Sequence, residues 1–454
     1  MIRRTSLLLA AVAIVVGTVV TTAPARAQSA APAFVLAGQS PWVAPNGDFV
    51  MRFQAANVPA GSEVALTVHD PLQSRTGFDE SVTGGSLPPT RDLQRFAFDS
   101  LSADATGAKV LTLKTAGISD GGVYPLEVDL RNGSDESIAH FVTHVVVAPV
   151  GADGALTVCV PLQVAWVWPL RADPAYVAGY ANPTTLADLQ LDGRLGRQAR
   201  QLALNPDVPL TLAPSPETLE AWNTIGAKQP ALAAGTAAIR SAGVSGHNQV
   251  LTGPFVPLDL PSILDGDLSG VVNSELARGG TTLETFFGAQ LDPSTALPGH
   301  LDQQSLRLLQ NASARRLVVD GTQLTPADEK YTPAHPYKML AVPGDDSSAV
   351  TVVATDPGLE QFLRGDDPPA LRAAHLLSGL ALVAGEQPSV TRGVAITNPD
   401  RWDADDAFVT ATLAGLRNNP LLHPTTVAGL LATVPPATVD GEPDAAPVYR
   451  QLSR

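Results

Sequence analysis

Residues 164–174 read VAWVWPLRADP, an apolar run with two tryptophans that is broken by Arg171 and Asp173. Side chains alternate along a strand, so Trp166 and Trp168 share one face while Ala165 and Val167 occupy the other. A strand that is apolar on both faces belongs in a parallel sheet covered by helices. The polar residues that follow such a strand mark the end where function sits. The run therefore reads as the first strand of a (β/α) barrel, with Arg171 and Asp173 at its working end.

Downstream the same rhythm recurs. The helical stretch DLQLDGRLGRQARQLAL follows, then strand VPLTLAP and helix SPETLEAW, with Ser215 as cap and Pro216 in the first turn. QVLTGPFVPLDLPSIL reads as a strand leading into a helix. LDQQSLRLLQNASA precedes strand RRLVVDG, AVTVVATD precedes PALRAAHLLSGLALVAG, and RGVAITNPD precedes DADDAFVTATLAGLRNN. Six or more such units between residues 155 and 436 predict an irregular (β/α) barrel followed by a C-terminal tail, 437–454. No glycine-rich nucleotide fingerprint follows any strand, which disfavours an open doubly wound sheet.

Upstream of Pro149 the period changes to two. Phe49, Met51 and Phe53, then Val64, Leu66 and Val68, then Leu126, Val128 and Leu130 alternate with polar residues. This is the pattern of strands with one face in a core and one in water. The segment VYPLEVDLRNGSDESIAHFVTHVVVAP reads as a hairpin turning at Asn132-Gly133. With no convincing helical stretch, residues 33–148 are expected to form an antiparallel immunoglobulin-like β-sandwich, giving a multidomain β + α/β chain. His140 and His144 lie on one side of its last strand, but no third ligand is evident, and they read as ordinary exposed strand residues.

The N-terminus carries Arg3 and Arg4, an uncharged run from Leu7 to Val20, and Ala25-Arg26-Ala27. These are the parts of a secretory signal peptide, residues 1–27, with cleavage expected before Gln28. No later segment is long and apolar enough to span a bilayer. The expected product is therefore an exported protein without a transmembrane helix, placed outside the cell or in its envelope. Lys and Arg number 29 against 44 Asp and Glu, for a net charge of −15, and the leader removes three arginines more. Nucleic acid is excluded as a partner, since it needs a basic footprint. The single cysteine, Cys159, stands in the apolar stretch ALTVCVPLQVAWVW, where it has no disulfide partner and reads as buried.

Several segments resemble a family of exported actinobacterial cell-envelope proteins: SPWVAPNGDFVMRF, HDPLQSRTGFDES, VAWVWPLRADP, VPLTLAPSPETLEAW, GPFVPLDLPSIL and RGVAITNPDRWDADDAFVTATLAGLRNNPLLHPTTVAGLL. The resemblance covers most of the chain beyond the leader. It implies an immunoglobulin-like region followed by a barrel like those of polysaccharide deacetylases and certain glycoside hydrolases. Many members of that family are longer and end in a membrane helix, whereas this chain ends at Arg454.

The predicted strand ends bring Arg171, Asp173, Ser215, Glu217, Asp259, Asp320, Asp356, Asn398 and Asp400 to the barrel mouth. A metal-dependent deacetylase needs a pair of aspartates after the first strand and two histidines one helical turn apart. Neither is present, so no metal and no cofactor are expected. A serine hydrolase would need a Gly-x-Ser-x-Gly elbow, which is also missing. Ser245 beside His247 reads as part of a glycine-rich loop. A glycosidase needs only two carboxyl groups across a sugar bond, and Asp173, Asp259 and Asp320 are candidates, with Trp166 or Trp168 as a sugar platform. The same aspartates serve equally as helix caps, and the same tryptophans as core. The candidate ligand site is thus Trp168, Arg171, Asp173, Asp259 and Asp320. The leading expectation is a non-catalytic barrel that binds a cell-wall glycan or an envelope protein, and the alternative is a glycan-active hydrolase.

Overall fold

The computed structural model of the chain describes residues 32–115, 117–118, 120–150, 160–177, 180–327, 330–403, 405–439 and 445–453. The proposed leader and Cys159 lie outside the described residues. The N-terminal region contains β1 (Ala33–Gln39), β2 (Asp48–Ala56), β3 (Glu63–His69), α1 (Arg75–Val82), β4 (Thr90–Ala97), β5 (Ser102–Ala103), β6 (Lys109–Lys114), β7 (Gly122–Arg131) and β8 (Ser137–Val147). Its strands make two antiparallel sheets, ordered β1-β2-β6-β5 and β4-β3-β7-β8. The alternation read from the sequence is the alternation observed. Phe49, Met51 and Phe53 of one sheet meet Val64, Leu66, Val68, Leu126, Val128 and Leu130 of the other in one core.

Two details differ from expectation. The β7–β8 turn spans residues 132–136, where the Asn132 side chain accepts from the Ser134 and Glu136 amides at 2.9 and 3.0 Å. The left-handed residue is Asp135, with φ 62°, and not Gly133. The second difference is helix α1 in a region read as all strand. Ser74 caps it by accepting from the Gly77 amide at 3.1 Å, and Phe78 is its buried anchor.

The second region begins with β9 (Leu162–Leu170), the short pair β10 (Tyr176–Val177) and β11 (Tyr180–Ala181), α2 (Pro183–Leu189), α3 (Arg194–Leu204), β12 (Thr211–Pro214), α4 (Pro216–Gly226), α5 (Pro230–Val244) and β13 (Gln249–Val250). It continues through α6 (Leu260–Asp265), α7 (Ser269–Phe287), β14 (Thr295–Ala296), α8 (Gln303–Asn311), β15 (Arg316–Val319), β16 (Tyr337–Leu340), β17 (Ala349–Ala354), α9 (Pro357–Glu360) and α10 (Pro369–Glu386). The last elements are β18 (Gly393–Thr397), α11 (Asp406–Leu416), β19 (Leu422–Thr425) and α12 (Val427–Thr433). The single helix expected over 188–204 is two, because the chain turns at 190–193 before α3 begins.

β9 is the central strand. β18 runs parallel along one of its edges. The other edge is shared, by β19 beside Leu162–Ala165 and by β12 beside Val167–Leu170. β13 extends this sheet beyond β12, while β14, β15 and β17 form a second parallel ladder that carries β16 antiparallel on β17. One parallel bridge, Thr355 with Ala395, joins β17 to β18. Among the described residues no ladder joins β13 to β14, so the sheet is open there. Ala165 and Val167 of β9, Val318 of β15, Val353 of β17 and Ala395 of β18 nevertheless meet in one inner core, which α12 completes with Val427 and Leu430.

The outer face of β9 carries Leu162, Val164, Trp166, Trp168 and Leu170, packed under the helices. Helix α10 is apolar nearly all round because it is covered on both sides. Ala370, Leu371 and Ala374 join the sandwich core, while Leu376, Leu380 and Val383 join the α/β core. The two regions are thus welded through α10 and α1, whose Phe78 lies in the α/β core. The C-terminal segment also docks: the Lys338 amide donates to the Val448 carbonyl at 3.1 Å, and the Thr325 amide to that of Gln451 at 2.9 Å.

Candidate functional site

The C-terminal ends of the parallel strands converge on two groups of polar side chains. The first is built by β15, β17 and β18. Asp320 follows β15 directly and is exposed; its Oδ1 accepts from the Thr322 amide and hydroxyl at 2.8 and 2.7 Å, closing a short 3₁₀ turn. Asp356, one residue beyond the β17–β18 bridge, caps α9 by accepting from the Leu359 amide at 2.9 Å. Glu360 closes α9 and points back to the sheet, where its Oε1 accepts from the Thr397 amide at the end of β18, 2.6 Å away.

Burial pushes the Glu360 carboxyl up from 4.5 to about 7; the Thr397 amide pulls against this, and the charges of Asp320 and Asp356 push further. Glu360 therefore keeps its proton well above the usual carboxyl range, towards neutral pH. Glu360 was not among the residues picked out from the sequence. It falls one turn past a strand end, in DPGLEQ, and an Asp-Pro helix start directly after a strand is the signal that could have found it.

The sandwich reaches into this group. Arg75 of α1 pairs with Asp356 at 3.3 Å, with both side chains largely buried. A Cβ at Gly358 would stand 2.5 Å from the Arg75 guanidinium, so any larger residue there would displace the arginine from its present position. Asp79, one turn along α1, is raised chiefly by burial, which Arg75 opposes and Asp356 reinforces. Phe78 packs edge-on against Phe362 at 6.0 Å.

The second group joins the loops after β9 and β18. Arg171 pairs with Asp400 at 2.6 Å, and Arg401, at φ 54°, pairs with Asp173 at 2.5 Å. Both pairs are solvent-exposed and hold the loops only weakly. Beneath them the Arg194 guanidinium, nearly buried, bridges Asp188 at 2.6 Å and the Arg171 carbonyl at 2.7 Å.

The residues expected at the mouth are therefore divided. Asp320 joins Glu360, while Arg171 and Asp173 belong to the second group. Asp259 joins neither: it lies nine residues past β13, is exposed, and holds the Ser262 hydroxyl at the start of α6. Trp168 is corrected outright as a sugar platform. It shares the helix-covered face of β9 with Trp166, is 0% exposed, and packs edge-on against Trp166 and Trp402 at 5.3 and 5.9 Å. Trp166 is likewise core, donating from Nε1 to Asn398 Oδ1 at 2.7 Å.

His144 also departs from expectation. His140 is exposed and faces Glu127 at 3.4 Å, but His144 is buried under α1 and α10, bonded to the Ser81 hydroxyl at 2.9 Å and stacked on Phe78. Burial, with His375 nearby, holds His144 well below the usual imidazole range. Among the described residues no group of three or more His, Cys, Asp or Glu has a metal-holding arrangement.

No family model matches this chain, and no curated protein matches it. Among solved structures it is similar to a 4-α-glucanotransferase from Thermococcus litoralis, with 11% identity and a TM-score of 0.45 over 64% of this chain and 40% of that one. It is similar to the α-amylase AmyC from Thermotoga maritima, with 12% identity and a TM-score of 0.47 over 64% and 77% of the two chains. It is also similar to a GH57 branching enzyme from Thermococcus kodakaraensis, with 11% identity and a TM-score of 0.41 over 61% and 73%. The chain spans 40% of the length of the glucanotransferase.

Proposed function

We propose that the α/β region is a glycan-active hydrolase in which Glu360 donates the proton and Asp320 is the second carboxyl of the pair. The single observation that carries this is the pairing of a largely buried carboxyl, Glu360, whose proton is held up to about pH 7, with the exposed Asp320 side chain at the C-terminal ends of β15, β17 and β18. A carboxyl that keeps its proton, with a second carboxyl near it, is what acid–base cleavage of a glycosidic bond requires. Glu360 protonates the leaving oxygen; Asp320 activates water or attacks the sugar carbon.

In the same reading the protein is exported and resides in the cell envelope, with cell-wall glycan as substrate. The sandwich is an immunoglobulin-type module, a view supported by Tyr124, whose hydroxyl reaches back to the Asp120 carbonyl at 2.8 Å. The test is reducing-end release from defined cell-wall glycans by the mature chain. Glu360→Gln should abolish turnover and Asp320→Asn should reduce it at least a hundredfold, with binding retained.

A second reading, a barrel that binds glycan or protein without turnover, is favoured by one observation. Asp173, Asp259 and Asp320 are each engaged by a neighbouring arginine or hydroxyl. Binding without product release would select it.

A further inference from the structure

Where the sheet is open between β13 and β14, a cavity of about 270 Å³ enters the α/β region. It lies at the C-terminal ends of β9, β12, β13 and β14, the same end of the sheet as Glu360. Its wall is mainly apolar: Leu251, Leu258, Val272, Leu276, Leu297 and Leu309 contribute from four different segments. Three glycines, Gly253, Gly280 and Gly299, also line it, and a Cβ placed at any of them would meet nothing within 4 Å. The cleft opens to solvent, and leaving its apolar wall unpacked forgoes the burial that would otherwise stabilise the fold. Gly280 adds a second cost, since it sits inside α7, where almost any other residue would favour the helix more.

The polar groups of the wall are Arg171, Ser215, Thr252 and Glu284. Arg171 and Glu284 put opposite charges on the wall, which suits a neutral hydroxylated head better than an anion. Arg171 also connects the two parts of the mouth: its partner Asp400 follows β18, whose last residue, Thr397, holds Glu360.

We propose that this cavity binds the alkyl or acyl chain of an amphiphilic glycan, with the sugar directed towards Arg171. The proposal rests on the hydrolase reading for its choice of head group. The cavity itself is larger than one that takes a benzene ring, about 150 Å³, and accommodates a chain of medium length.

The test is calorimetry of the mature chain with methyl, butyl, hexyl and octyl β-glucosides below their micellar concentrations. Burying each added methylene should raise affinity about fourfold until the cavity is full. Gly280→Leu should abolish this chain-length dependence without lowering the melting temperature, and Gly299→Leu, in an exposed loop, provides a second filled variant. Equal affinities for the methyl and octyl glucosides would overturn the proposal, as would unchanged octyl glucoside binding in both filled variants. n-Octanol binding as tightly as octyl glucoside would overturn the assignment of a sugar head. Glu360→Gln leaves this binding intact, so loss of turnover and loss of chain-length dependence report separately on the hydrolase and on the cavity.

Discussion

Glu360→Gln should make the protein more stable in alkaline solution. The native carboxyl binds its proton up to about pH 7, whereas in the unfolded chain it releases it near 4.5, so folding favours the protonated form. The stability this contributes is fully present below pH 4.5 and is lost as pH rises through about 7. The difference between those two values corresponds to about 3 kcal/mol. Glutamine keeps an oxygen for the Thr397 amide but has no charge to desolvate. Urea unfolding of both proteins at pH 5, 7 and 9 measures the effect, because other titrating groups, Asp79 included, are common to both. The stability difference, variant minus wild type, should grow by about 2–3 kcal/mol between pH 5 and pH 9. A difference that stays constant over that range would refute the burial of this carboxyl, and with it the proton donor at the centre of the proposed chemistry.

Trp168→Ala should cost about 3–5 kcal/mol in urea unfolding, as a fully buried aromatic, and leave the glycan affinity of the remaining folded protein unchanged. Arg75→Gln leaves the largely buried Asp356 without its guanidinium and should destabilise by about 1–3 kcal/mol; it should also move the pH profile of any turnover, a shift that a purely structural role would not produce. His144 and His375 are both held below their ordinary values by burial, so they contribute stability above pH 6.5 that falls away as the solution is acidified. A His144→Leu, His375→Leu double variant should therefore lose less melting temperature than the wild type between pH 7 and pH 5.

The fold was legible wherever a single physical signal dominated. Alternation placed the core-facing residues of β2, β3 and β7, and apolar runs placed β9, β15, β17 and β18. The short strands β14, β16 and β19 carry no such signal: β14 is two residues long, and YKML and LHPT are interrupted by Lys338 and by His423 and Pro424, where the equally short β15 is an unbroken LVV. Helix α1 was hidden because RTGFDESV is mostly polar and is stabilised by docking on the other region through Phe78 and Arg75, a contact remote in sequence. The site was half legible. Strand ends pointed to Asp320 and Asp356, but a residue one turn into a following helix, Glu360, is placed by how that helix folds back. Trp168 was ambiguous for a definable reason: alternation shows that it shares a face with Trp166, and only the assembled sheet shows that helices cover that face.

The position of β9 has a consequence for how the chain reaches this structure. Every strand that pairs with it comes later, β12 at 211–214, β18 at 393–397 and β19 at 422–425. Such distant parallel pairings form slowly, because a long loop must be closed before any contact compensates for it. The sandwich sheets are complete in sequence by Val147 and can assemble early. β9 must wait, with its apolar faces uncovered, until the chain is available to Thr425. Premature termination anywhere in α10, β18 or α11 would thus leave a folded sandwich joined to a sticky, unpaired strand, the kind of species that aggregates or calls for a chaperone.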